Sequence, residues 1–161
     1  MDKDNLQTLY EKDFQLWIEQ TIYHLEAEQF DQLDAQHLVE ELTDLGRSER
    51  RALTSNLKIL MAHLLKLRIQ HNVPEQMKSS WYDSVVEHRQ RVLDSLQDIP
   101  SLKNYLESAI NAAYPDARKV AIKESRLARF SIMTPPEEDY PSDCPFTVEQ
   151  LLDEDFMGLE A

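Results

Sequence analysis

Between Asp34 and Asn72 the apolar residues fall on one helical line, and that line constrains the rest of the chain. Leu38, Leu42, Leu45, Leu53, Leu57, Leu60, Leu64 and Leu67 are spaced almost throughout by three or four. That period stacks side chains on one face of a helix with 3.6 residues per turn. It predicts a single amphipathic helix over about 35–71, with the other elements packed around it. Gly46 lies inside the pattern, where a glycine costs about 1 kcal/mol relative to alanine. The stripe nevertheless resumes in its earlier register, which a turn would destroy. The helix is therefore expected to run through, with Gly46 admitting a neighbouring helix at close range. Asn72 and Pro74 are expected to end it.

The flanking segments read as further helices. Residues 1–12 are expected to be loosely held. Asp13 is placed to cap a helix that carries Phe14, Trp17, Ile18, Ile22 and Leu25 on one face and runs to about Glu28. After a link pinned by Phe30 and Leu33, Asp34 caps the long helix. A third helix is expected from Ser79 or Ser80, with Ser80 and Asp83 in a capping-box spacing. Its apolar face is Tyr82, Val85, Val86, Val92, Leu93, Leu96 and Ile99, and it stops at Pro100. A fourth carries Leu102, Leu106, Ala109, Ile110, Ala113, Ala117, Val120 and Ala121, and its stripe keeps phase across Pro115, which predicts a kink rather than a break. From Phe130 to Pro145 four prolines impose an extended strap. Thr147 with Gln150, and Phe146 with Leu151, then supply the capping box and hydrophobic staple of a short last helix.

The predicted class is all-α: an antiparallel bundle of four main helices around the long one, with a Pro-rich C-terminal strap and a short last helix. A chain of 161 residues suits one domain, 1–161, and buries roughly 68–70% of its unfolded surface without disulfides or metals. Two glycines leave no room for a Gly-rich phosphate loop. A single cysteine, Cys144, excludes an intrachain disulfide and fits a reducing compartment. Met1 is followed by acidic and polar residues rather than a signal-peptide pattern, and the longest central apolar run, Ile59 to Ala62, is far shorter than the ~20 residues of a membrane span. A soluble, cytoplasmic protein is expected. The net charge of −13 repels phosphate backbones and anionic membranes, so nucleic-acid and membrane partners are disfavoured.

Several motifs together resemble a known family. They are Tyr10, Asp13-Phe14 and Trp17, then Phe30 and Leu33-Asp34, then Glu40-Glu41-Leu42 and Asp44 to Glu49. His63 to Lys66, Ser80-Trp81, Ala113-Tyr114, Ala117-Arg118, Cys144 to Thr147 and Glu149 to Leu152 continue the match. Over nearly its whole length the chain resembles the bacterial domain-of-unknown-function family numbered twenty-nine. The resemblance implies an all-helical, cytoplasmic bacterial protein and brings no activity with it.

Candidate functional residues come from interruptions of the apolar faces. Glu49, Asn56 and His63 recur every seven residues along the long stripe, and Arg89 sits centrally on the third helix's face. Buried polar groups require partners, so these four are expected to form a buried polar seam, with His63 level with Arg89 or His88 if the two helices pair about Glu75. A seam of this kind fixes helix register. The sharper alternative, Glu49 or Glu41 as a base with His63 as proton shuttle, fails for Glu49 on distance, because 14 residues span about 21 Å of helix.

The histidines, His24, His37, His63, His71 and His88, show neither Glu-x-x-His nor His-Glu-x-x-His spacing. No metal or other cofactor is expected, and His63, His88 and Glu41 are the weak metal candidates. Asp34 and His37 have a suitable spacing, but capping explains the Asp. Ser48 lies on a helix rather than a nucleophile elbow. Cys144, beside Asp143, is expected to be inert, its thiol raised by the neighbouring carboxylate.

Arg118, Lys119, Lys123, Arg126 and Arg129 form a basic face, while the chain beyond Arg129 holds only acidic charges. The strap is expected to fold back near that face. With no catalytic signature, the expected function is a non-enzymatic interaction or regulatory protein whose partner is another protein or a second copy. The alternative is a metal- or small-ligand-binding bundle with its site on the seam.

Overall fold

A computed structural model of the chain describes residues 3–70, 73–127 and 134–159. The expected stop at Asn72, His71, Arg129 of the basic face and the strap from 130 to 133 lie outside the described residues. All regular structure within them is helical, so the protein is all-α. The α-helices are α1 (Lys3–Lys12), α2 (Phe14–Glu26), α3 (Ala35–Ile69), α4 (Glu75–Asp98), α5 (Leu106–Leu127) and α6 (Val148–Leu152). Where one domain is expected, the chain's contacts gather into two compact units, Met1–Ser48 and Glu49–Ala161. α3 contributes to both.

In the first unit, residues 3–12 are helical where a loose end is expected. Leu6 is fully buried and fixes the segment. Asp13 caps α2, accepting from the Leu16 N–H at 3.1 Å, and Glu28, at φ 56, ends it in the left-handed region. α3 begins after Asp34 and continues through Gly46 as the stripe requires. No helix of this chain exploits that glycine, however. A Cβ built on Gly46 meets nothing within 4 Å.

The second unit holds the main core. Leu53, Leu57, Leu60, Met61, Leu64 and Leu65 of α3 are wholly buried, with Val85 and Val92 of α4. Ala109, Ala113, Ala117 and Ala121, four apart along α5, are buried too, and their small side chains admit close packing. α4 starts at Glu75 rather than at Ser79 or Ser80, because Pro74 occupies the N-cap with its φ preset at −56°. Ser80 lies inside the helix and bonds the Met77 carbonyl at 2.8 Å. The buried face of α4 is Trp81, Val85, Arg89, Val92 and Leu96. Tyr82 and Val86, expected on it, are exposed. Leu102 belongs to a 3-10 turn, Pro100–Tyr105, that precedes α5. α5 itself runs through Pro115.

The strap is part of the core. Tyr140, Phe146, Leu151 and Phe156 are all buried, with Phe146 and Phe156 meeting edge to face. α6 carries the expected capping box at Thr147 and Gln150. Past α6 the chain crosses α3 so closely that a Cβ on Gly158, whose φ is +95°, lies 2.7 Å from the Leu64 carbonyl oxygen.

The two glycines therefore have opposite requirements. In urea denaturation Gly46→Ala is expected to raise stability by up to about 1 kcal/mol through helix propensity. Gly158→Ala is expected to lower it by about 1–3 kcal/mol, from strain at positive φ and the contact with Leu64. Equal effects at the two positions would contradict this assignment.

Candidate functional site

The four residues expected in one buried seam part company. Glu49 is exposed, since helical spacing alone does not make the face at that level a buried one. Asn56 is half-buried and satisfied within its own helix, its Nδ2 donating to the Ala52 carbonyl at 3.0 Å. His63 and His88 do approach each other, as pairing of α3 with α4 predicts, through Ser84 Oγ at 3.3 Å from each Nδ1. Each Nδ1 also lies against a carbonyl four residues back, Ile59 at 2.8 Å and Ser84 at 2.9 Å. A carbonyl can only accept, so both Nδ1 atoms carry the proton and Ser84 Oγ accepts. Burial holds His63 below the ordinary imidazole range, with Lys66 and His88 pushing the same way against the bond to Ile59.

Arg89 is 2% exposed, and among the described residues no acidic side chain forms an ion pair with it. Its guanidinium donates to the carbonyls of Leu151 at 2.9 Å, Glu154 at 3.4 Å and Phe156 at 2.7 Å. Burial lowers its pKa, while Asp153 and Glu154 act in the opposite direction. The residue is a clamp on the C-terminal segment. The basic face behaves similarly: Arg118 donates to the carbonyls of Tyr140 and Glu137, and Arg126 pairs with the Glu137 carboxylate at 3.0 Å. Lys119 and Lys123 are exposed. The Cys144 thiol is raised, but burial is the main cause rather than Asp143, and its sulfur rests against Met61.

Two arrangements went unread in the sequence. One lies in the first unit, where Asp34, 1% exposed, joins α2 to the start of α3. Its Oδ2 accepts from the Trp17 indole at 3.2 Å and meets His37 Nδ1 at 2.5 Å, while Oδ1 accepts from the His37 N–H at 3.4 Å. Burial pushes the Asp34 carboxyl up, but the bonds from His37 and Trp17 outweigh it and leave the group below its ordinary value. His37 stacks on Tyr10 at 3.8 Å, and the Tyr10 hydroxyl donates to Glu41 at 2.5 Å, which holds the phenol up at about 12. Glu41, a weak metal candidate, is thus engaged by Tyr10. The network ties α1, α2 and the start of α3 together. The nearby α3 residues Val39, Leu42 and Leu45 remain 60–62% exposed.

The other is a cavity of about 240 Å³ in the second unit, lined by Lys66, Gln70, Met77, Trp81, Glu124, Ser125 and Leu127. Lys66 was read as part of a family motif, not as a buried charge. It is 4% exposed, pairs with Glu124, and lies 5.5 Å over the Trp81 ring. Burial brings its pKa down to about 8. Gln70 Nε2 donates to the Tyr140 hydroxyl at 3.0 Å, but Gln70 Oε1 and Ser125 Oγ are buried with no partner among the described residues. Among the described residues, no group of three or more His, Cys, Asp or Glu side chains is arranged to hold a metal ion, and no helix is long and apolar enough to cross a membrane.

The family model described as "Domain of unknown function DUF29" matches residues 9–157. The chain belongs to the DUF29 family. Neither the curated proteins nor the solved structures contain a match. The match takes in the Tyr10–Asp34–His37–Glu41 network, the Lys66 cavity and the Arg89 clamp of this DUF29 protein alike.

Lys66 sets an alkaline signature. Between about pH 8, its folded value, and its unfolded value near 10.4, the unfolded chain binds more protons than the folded one. Stability contributed by this group therefore rises with pH across that window. Urea titrations of wild type and Lys66→Met at pH 7.5 and 9.5 check this: the difference between them is expected to shrink as pH rises. A difference independent of pH would contradict the assignment.

Proposed function

We propose that this DUF29 protein is a non-enzymatic protein-interaction module whose first partner is a second copy of itself. The observation that carries the reading is the row Val39, Leu42 and Leu45, exposed on the part of α3 that the Asp34 network holds in place. Among its described residues, the unit that presents it buries two hydrophobic side chains, Leu6 and Trp17. So small a core is marginal by itself and gains from added cover.

The second copy is favoured by Gly46, which with 3.6 residues per turn lies on the same side of α3 as the row. An antiparallel pairing centred between Leu45 and Gly46 sets Leu45 of each copy over Gly46 of the other, where a side chain has open space. An isologous two-fold contact requires that self-complementarity. The apolar row supplies affinity, and the fit of Leu45 over Gly46 supplies register.

Light scattering is expected to give about twice the 18.9 kDa chain mass, and Leu45→Glu is expected to give a monomer. Gly46→Leu, which fills the space opposite Leu45, is expected to weaken the dimer, whereas Glu40→Lys, on the far side of α3, is expected to leave it intact. A wild-type monomer at all concentrations, or a dimer indifferent to Leu45→Glu and Gly46→Leu, would sink the reading.

A further inference from the structure

We infer that the Lys66 cavity is a binding site for a small zwitterion, an α-amino acid with an apolar side chain, held between Lys66 and Glu124 with its side chain against Trp81. The walls supply the chemistry on which this rests. Lys66 is buried, and an ammonium has three hydrogens to donate. Its pairing with Glu124 leaves donors free. Glu124 itself is half-exposed, so its carboxylate has room to turn and admit a ligand between the two charges. Ser125 and Gln70 are more than nine-tenths buried, and Ser125 Oγ and Gln70 Oε1 find no partner among the described residues. Buried polar atoms without partners are rare and costly in folded proteins. A turn of these two wall side chains toward a ligand would supply one hydroxyl able to donate or accept and one oxygen able only to accept.

The complement of that set has four parts. It needs an anionic acceptor for Lys66, a cationic donor for Glu124 and Gln70 Oε1, an oxygen for Ser125, and an apolar body for Trp81, Met77 and Leu127. A carboxylate and an ammonium on one small carbon skeleton provide all four. The opposed charges of the wall also disfavour a simple anion or a simple cation, because either leaves one charge of the wall facing its own sign. The volume, about 240 Å³, has room for a small ligand. The site lies wholly in the second unit and is independent of the proposed self-association through α3.

Calorimetric titration of the full chain with L-leucine, L-valine and L-methionine tests the inference, with Trp81 fluorescence as a second readout. Saturable binding of at least one is expected. Leucinamide, which lacks the carboxylate, and 4-methylpentanoate, which lacks the ammonium, are each expected to bind at least about ten-fold more weakly, which is 1.4 kcal/mol. Ser125→Ala removes a single hydroxyl and is expected to weaken binding while the far-ultraviolet circular dichroism stays that of wild type. Lys66→Met is expected to abolish binding, and Lys66→Arg, which keeps the charge, to retain part of it. The inference is overturned if none of the three amino acids saturates, if the uncharged-end analogues bind as well as leucine, or if affinity survives both Ser125→Ala and Lys66→Met. A crystal structure grown with L-leucine that shows only ordered water in the cavity would overturn it equally.

Discussion

Much of the second unit depends on one buried cation. Arg89 sits in the middle of an otherwise apolar face of α4, and a guanidinium there is tolerable only if its N–H groups are satisfied. The chain satisfies it with backbone carbonyls at and beyond the end of α6. Those same carbonyls have no intrahelical donor, because a helix of five residues leaves its last C=O groups unpaired. Two deficits cancel. Arginine is suited to this because its planar fork reaches several acceptors at fixed angles, which a lysine ammonium on one flexible stem does not.

That clamp explains why the proline-rich tail is core rather than covering. Once Arg89 holds the segment around Leu151–Phe156, Phe146, Leu151 and Phe156 can be buried. Gly158 then passes over α3 within contact of Leu64. Upstream, Arg118 and the Tyr114 hydroxyl fasten Glu137, Tyr140 and Pro141 through their carbonyls. A strap with little regular structure has unpaired backbone groups along its length, and each cation or hydroxyl aimed at one removes a desolvation cost. Charge complementarity with the acidic tail is the smaller part. Arg118 spends two of its bonds on carbonyls, and among the described residues only Glu137 meets the basic face as a carboxylate.

Periodicity made the helices legible, together with caps whose chemistry is local. Asp13, Thr147 and Gln150 act where the sequence places them, because a cap requires only residues within three positions of one another. The misreadings have equally local causes. Ser80 resembles a cap, but Pro74 has already started the helix. Tyr82 and Val86 look like the apolar face of α4, but Trp81 lies one position away, and a stripe through Trp81, Val85 and Arg89 buries more. The seam was half visible for another reason. Spacing finds polar residues on an apolar line, yet it does not say at which levels that line is covered, so Glu49 is exposed whereas Arg89 is not. The Lys66 cavity had no local signal. Lysine, glutamine and serine at positions 66, 70 and 125 are ordinary on a solvated helix face, and only tertiary packing buries them and leaves two of their atoms unpaired.

The long stripe of α3 gathers these observations into one argument. Its leucines keep a single register from Leu38 to Leu67, and the helix is continuous, so local structure is uniform along it. Burial is not uniform. From Leu53 onward the stripe is closed over by core, whereas Val39, Leu42 and Leu45 stand in solvent. Helix propensity alone does not require leucine at exposed positions, since alanine, glutamate or lysine would serve as well. The apolar surface there costs solubility without contributing to this chain's own core. In the proposed dimer another helix covers it. The open space beside Gly46, on the same side of α3, is where that helix would place a side chain. The same pattern that builds a core at one end of α3 is thus, at the other, the surface on which the proposed self-association rests.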